Sequence, residues 1–274
     1  MPKLKPNQFY LSGHLITERP ILFQTKMVQA NLEDRKTQTR RTIGLNRFNA
    51  DPIFWNRKDD PRKSINRFYN GSEEVNPNPL EIYFGFTEPL GETEYVKSPY
   101  GKPGDLLWVR ETWAKVLDTD SNPFYAHKAD SLFFVDRWKP SIHMPKSAAR
   151  LWLMVEDIRV ERVQDITEKD AIAEGVSTLF LKGNIHYDPN TFLNYTWHGM
   201  GGDDSFSGYS STGNARESFQ SLWYKINGKS SWKSNPWVWV IQYRILSKTG
   251  RPSDDTILEN YLQITGKGKE VSHE

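Results

Sequence analysis

The sequence contains no cysteine. That absence excludes a disulfide framework, thiolate-bound zinc and a cysteine nucleophile, and it suits a reducing compartment. An excess of one charge is also missing. Lys and Arg number 36 against 34 Asp and Glu, so net charge makes no general case for a nucleic-acid or membrane surface. No stretch approaches the ~18 apolar residues of a membrane span, and the opening MPKLKPNQFYLSGH has no apolar signal-peptide core. A soluble, cytoplasmic protein with no membrane partner is expected. There is no Walker-type loop, no G-x-S-x-G elbow and no dinucleotide fingerprint. His186 and His198 flank a loop holding Asp203 and Asp204 without compact ligand spacing, so neither a metal nor another cofactor is expected.

Aromatic residues, by contrast, are plentiful at 13%, with ten Trp. They can build the core and the strand faces, or stack on bases beside cations; composition leaves both uses open.

Periodicity places the elements. PILFQTKMVQANLED (20–34) reads as a strand and then a short helix, and TQTRRTI (37–43) as a strand. GDLLWVRETWAKV (104–116) reads as one buried strand, with Trp108 and Arg110 on one face and Glu111 and Trp113 on the other. ARLWLMVEDIRVERVQ (149–164) reads as a long strand that bends, and PWVWVIQYRIL (236–246) is the strongest strand pattern in the chain. Helices are expected over ITEKDAIAEGV (166–176) and ARESFQSLWYKING (215–228). The fold class is therefore mainly β (α+β), a small closed or half-closed barrel with short helices at its ends. The expected organisation is an N-terminal segment (1–19), one domain (20–246) with polar insertions at about 45–80 and 183–214, and a polar C-terminal tail (247–274).

Chemistry concentrates in LEDRKTQTRR (32–41) and near Glu174. Arg35, Arg40 and Arg41 form a cationic cluster suited to planar, bidentate contacts with phosphate or a base edge, or equally to guarding a sheet edge. Lys36 and Thr39 pair a potential base with a potential hydroxyl nucleophile. They share a face only on a helical turn, so an ordinary strand needs a bend there. Thr167 and Asp170 form an approximate capping box and Gly175 suits the helix end, which leaves Glu174 in the last turn, opposed to the helix dipole. That position fits either a tolerated Glu paired with an Arg or a carboxylate held near Lys36 for proton transfer. Trp108 and Arg110 are candidates for lining a base-sized pocket, and core packing is the other reading of this aromatic patch.

In order, DRKTQTRR, PGDLLWVRE, ITEKDAIAEGV and WVWVIQYRIL resemble the landmarks of the ASCH family of PUA-like barrels. The family's G-x-K-x-x-E-x-R hallmark is matched at Lys36 and Arg41, with Asp34 in the place of Gly and Thr39 in the place of Glu. The K-T-x-T-x-R run and the helix opening with TEK are similar to those of the N4-acetylcytidine amidohydrolases within that family. That resemblance implies catalytic roles for Lys36, Thr39 and Glu174, while the residues themselves make Arg35, Arg40, Arg41, Trp108 and Arg110 the candidates for substrate binding. It spans roughly residues 20–246, and the whole chain is also similar to long ASCH-type proteins of bacteriophages and prophages. The implied partner is a nucleoside, a nucleotide or an RNA or DNA element, and the implied reaction is hydrolysis of an N4-acylated cytidine or related base. Alternatives are a non-catalytic reader of RNA or modified DNA, an ASCH-type ribonuclease, and a phage accessory protein contacting a host protein through its insertions.

Overall fold

The structure, a computed structural model, describes residues 4–57, 68–70, 73–75, 83–90, 93–131, 134–176, 192–193, 211–212 and 214–266. The chain opens with an antiparallel hairpin, β1 (Gln8–Leu11) and β2 (His14–Leu22), followed by α1 (Thr25–Leu32). β3 (Gln38–Arg41), α2 (Asn46–Ala50), β4 (Asn56–Arg57) and the short pair β5 (Phe68–Asn70) and β6 (Glu73–Val75) come next. The hairpin β7 (Tyr83–Thr87) and β8 (Thr93–Lys97) precedes β9 (Leu106–Arg110), β10 (Trp113–Leu117) and β11 (Pro123–His127). After β12 (Trp152–Arg162) come α3 (Glu168–Ala173), β13 (Phe192–Leu193), β14 (Ser211–Thr212), α4 (Ala215–Asn227) and α5 (Lys229–Lys233). The described chain closes with β15 (Trp237–Ser247) and α6 (Asp254–Thr265).

The main sheet has the order β1-β2-β9-β12-β15-β3. All its pairs are antiparallel except β2 with β9. No ladder joins β3 back to β1 among the described residues. The architecture is thus mixed and mainly β, with a six-stranded sheet and few helices, and no closed barrel is seen among the described residues.

Alternation along each strand sorts the side chains into three apolar clusters. Leu107 and Val109 of β9 and Trp237, Trp239, Ile241 and Tyr243 of β15 face the first cluster, together with Phe23, Val28 and Tyr100. Val155 and Ile158 both join it although three residues apart. The register shift between Val155 and Asp157 permits this, because one extra residue in β12 resets the alternation. That bulge is the bend expected of the long strand. On the other side, Val238 and Val240 pack under α4 and α5, while Trp152, Met154 and Leu106 pack with α6. Most of the Trp residues are core residues, among them Trp152 and Trp239, both fully buried.

Several expectations are corrected. The strand expected over 104–116 is two strands, β9 and β10, which lie in different sheets. The interruption puts Trp108 and Trp113 against the same cluster instead of on opposite faces, and Glu111 in the gap is buried against Arg150 at 3.0 and 3.1 Å. The N-terminal segment has no boundary at residue 19, since β2 runs through it into the main sheet. Residues 45–57 are not simply a polar insertion, because Leu45, Phe48 and Trp55 anchor them in the first cluster. Phe48 stacks on Phe86 of β7 at 3.9 Å between ring centres. The rest of 45–80 and nearly all of 183–214, including His186, His198, Asp203 and Asp204, lie outside the described residues or their described side chains. No helix among the described residues is long and apolar enough to cross a membrane.

The polar tail contains α6. Its polar average conceals Ile257 and Tyr261, which are four apart, share one helical face and are both buried. Ser253 Oγ accepts a hydrogen bond from Thr256 N at 3.2 Å and caps the helix. Ser253→Ala is expected to lower stability by about 1 kcal/mol. Urea denaturation checks this, and an unchanged midpoint would show that the cap contributes nothing.

Candidate functional site

β3 is an outer strand of the sheet, and the candidate site forms along its unpaired side. The segment leading into it is shaped by the end of α1. Arg35 N and Lys36 N both donate to Ala30 O, at 2.9 and 3.1 Å, and Asp34 takes a left-handed backbone at φ 58°. Asp is among the few residues that tolerate this region. The Asp34 carboxylate is in turn held by Lys248 Nζ at 2.6 Å. Because β3 starts at Gln38, Lys36 lies in this turn and Thr39 in the strand.

The end of α3 approaches from the opposite side. The capping box forms as expected, with Thr167 Oγ1 accepting from Asp170 N at 3.1 Å. The helix stops at Glu174, followed by Gly175 at φ +82°. Thr37 N donates to Ala173 O, and Tyr243 N to Thr37 O, both at 2.9 Å, which ties the helix end to β15 through the β3 approach. Lys36 Nζ donates to Glu174 O at 2.8 Å, and Arg35 Nη1 to Gly175 O at 2.9 Å. Cations on the last carbonyls of a helix oppose the cost of Glu174 at the same end.

At the centre, Lys36 Nζ meets Glu174 Oε2 at 2.7 Å and Gln38 O at 2.8 Å. Lys36 is 1% exposed and Glu174 6%. The second carboxylate oxygen, Oε1, accepts from Arg40 Nη1 at 3.2 Å. Arg40 also donates to Gln38 Oε1 at 2.7 Å and to Glu161 Oε1 through Nε and Nη2, at 3.0 and 2.5 Å. Arg159 lies 3.1 Å from both Glu161 and Asp170. Three cations (Lys36, Arg40 and Arg159) thus balance three carboxylates (Glu161, Asp170 and Glu174).

Burial lowers the Lys36 pKa below that of an ordinary lysine; Glu174 opposes the shift, and the charges of Arg41 and Arg40 reinforce it. Burial opposes ionisation of Asp170, but Gln38, Arg159 and Arg40 together hold it below the usual carboxylate value. Tyr243 is pushed well up by burial and then by Glu174, and its hydroxyl donates to Asn31 Oδ1 at 3.0 Å.

The structure therefore brings Lys36 and Glu174 together. Thr39 and Arg41 pair with Ile241 and Trp239 and share their face, the first-cluster side, while Gln38 and Arg40 face the opposite side. The Thr39 hydroxyl makes no hydrogen bond among the described residues, and the residue is buried. Arg41 stays near Lys36, each lying over the Phe23 ring, at 5.3 and 5.9 Å from its centre.

The remaining expected binding residues are taken up in other contacts. Arg40 is committed to the charge network, each of its nitrogens having a protein partner. Arg35 pairs with Glu33 at 2.6 Å and fastens the end of α3. Trp108 and Arg110 occupy alternate positions of β9 from Leu107 and Val109, on the side away from the first cluster. Their guanidinium and ring stack on one another at 5.6 Å, and Arg110 Nη2 donates to Ile142 O. Sequence reasoning missed Phe23, Gln38, Glu161, Asp170, Tyr100 and Tyr243 as members of the neighbourhood. All but Tyr100 fell within stretches read for their strands, helices or caps, and not as parts of a site. No group of His, Asp or Glu able to hold a metal ion occurs among the described residues. No protein-family model matches the chain, and neither curated proteins nor solved structures give a match.

Proposed function

We propose that the protein is an ASCH-type, PUA-like nucleoside- or nucleic-acid-binding protein, and that it hydrolyses the amide of an N4-acylated cytidine or a related modified base. The observation that carries this reading is the buried contact of Lys36 Nζ with Glu174 Oε2 at 2.7 Å, three residues from a Thr39 hydroxyl that no described protein group engages. A lysine with a lowered pKa gives up its proton more readily and then accepts one from Thr39 or from a water. In the simplest balanced scheme, a water oxygen adds to the acyl carbon and the bond from that carbon to N4 breaks. N4 takes the proton that Lys36 removed, with Glu174 holding the leaving amine, and the products are the free cytosine amine and a carboxylic acid.

The test is deacetylation of N4-acetylcytidine. The parent is expected to turn over, Lys36→Ala to lose at least about 10²-fold in kcat, and the parent rate to rise with pH as Lys36 loses its proton below 10.5, the ordinary lysine value. No turnover by the parent, or full activity in Lys36→Ala, rejects the reaction.

One observation favours a second reading. Lys36 Nζ already has three acceptors, in Gln38 O, Glu174 O and Glu174 Oε2, as many as an ammonium group has hydrogens. A lysine so engaged suits a fixed support beneath a non-catalytic reader of RNA or modified DNA. Oligonucleotide affinity that falls steeply with salt, without turnover, would support the reader.

A further inference from the structure

Tyr100 lies in the connection between β8 and β9, is 7% exposed, and belongs to the first apolar cluster with Phe23 and Tyr243. Its hydroxyl oxygen is buried and has no hydrogen-bond partner. Buried polar atoms in native proteins are nearly always satisfied, so such an atom calls for a ligand or a function. Arg41 Nε is in the same condition, buried without a partner, although Nη2 of the same side chain donates to Leu22 O at 2.8 Å. Arg41 lies over the Phe23 ring, 5.3 Å from its centre, and Phe23 belongs to the same apolar cluster as Tyr100. Burial pushes the Tyr100 hydroxyl up to about 12, and Arg41 is the charge that draws it back. The hydroxyl is therefore protonated at neutral pH and, like the Nε–H, available to donate. Through Phe23, whose ring lies under both Arg41 and Lys36, this pair of idle donors adjoins the Lys36–Glu174 contact. Two fixed donors without an acceptor, walled by aromatic rings, suit one partly or fully negative oxygen.

We propose that Tyr100 and Arg41 form a two-donor subsite for one carbonyl or carboxylate oxygen of the ligand bound beside Lys36 and Glu174. The subsite rests on the reading of this region as a ligand site. That oxygen comes either from the acyl group under attack, whose negative charge grows as the carbonyl carbon becomes tetrahedral, or from the pyrimidine ring carbonyl.

Tyr100→Phe keeps the ring and removes only the donor. Three quantities are compared with the parent: kcat and KM for N4-acetylcytidine, Kd values for acetate and for cytidine by NMR titration, and the melting temperature. If the oxygen is the acyl one, kcat falls by at least about tenfold at little-changed KM, and acetate binding is lost. If it is the ring carbonyl, KM and the cytidine Kd rise by about tenfold while kcat holds. In both cases the melting temperature is equal or higher, because an unpaired buried hydroxyl has been removed. A variant that matches the parent in turnover and in both affinities overturns the subsite. So does a parent that binds neither probe, or a loss of binding that tracks a lowered melting temperature. A parent that binds acetate or cytidine in a Tyr100-dependent way but turns nothing over keeps the subsite and rejects the hydrolysis.

Discussion

Glu174→Ala is expected to destabilise the protein by about 3–5 kcal/mol, the usual cost of breaking a buried ion pair from one side. The carboxylate touches two cations, Lys36 at 2.7 Å and Arg40 at 3.2 Å. Their losses differ. Arg40 retains Glu161 at 2.5 Å and Asp170 at 3.6 Å, so its charge stays compensated. Lys36 retains only two carbonyls, those of Gln38 and residue 174, and becomes a buried cation with no counter-charge. Most of the cost thus falls on Lys36, and removing both partners should recover much of it. Glu174→Leu combined with Lys36→Met is expected to be at least about 1 kcal/mol more stable than Glu174→Ala, as buried ion pairs replaced by apolar groups of similar volume often are. Urea denaturation of the parent, the single variant and the double variant decides the matter. A single-variant loss below about 1 kcal/mol would show that water reaches the pair and screens it.

Gly175→Ala is expected to cost about 2–5 kcal/mol by a separate route. Gly175 has φ +82°, where a side chain costs roughly 1–2 kcal/mol. A Cβ there would also come within 2.9 Å of Lys36 Cβ and 3.1 Å of Ala30 Cβ, and overpacking of this kind adds about 1–3 kcal/mol. Gly266 provides the control, with φ +71° but no atom within 4 Å of an added Cβ, so Gly266→Ala should show the backbone part alone. If both variants lose equally, α3 and the β3 approach yield to one another, and the close contact does not fix Lys36. If Gly175→Ala loses more, as expected, the methyl group pushes the Lys36 side chain away from Glu174, and the proposed deacetylation should slow with it.

Much of this arrangement was legible in the sequence. β12, β15, α3 and α4 announce themselves by periodicity and caps, and Glu174, open in the sequence to pairing with an Arg or lying near Lys36, does both. What was not legible has common physical causes. Alternation is a local rule, so it carried Trp108, Arg110, Glu111 and Trp113 through an interruption that is made by Glu111 finding Arg150. Average polarity concealed α6, whose docking depends on a few apolar residues such as Ile257 and Tyr261. The role of Arg40 depends on Glu161, 121 residues away, and no local pattern reports a partner at that distance. The unsatisfied hydroxyl of Tyr100 is a property of packing, which sequence alone does not display.

The separations within the site bear on how the protein folds. Lys36 and Glu174 are 138 residues apart, and β3 completes the sheet against β15, where Trp239 pairs with Arg41. Contacts closing such long loops form slowly, because their entropy is lost before any compensating contact is made. The ion pair therefore joins after the local hairpins and helices, and a refolding chain recovers most of its secondary structure before it recovers the site. A ligand held there binds only the finished fold, so its binding energy adds to the stability of the whole sheet and not to that of one loop.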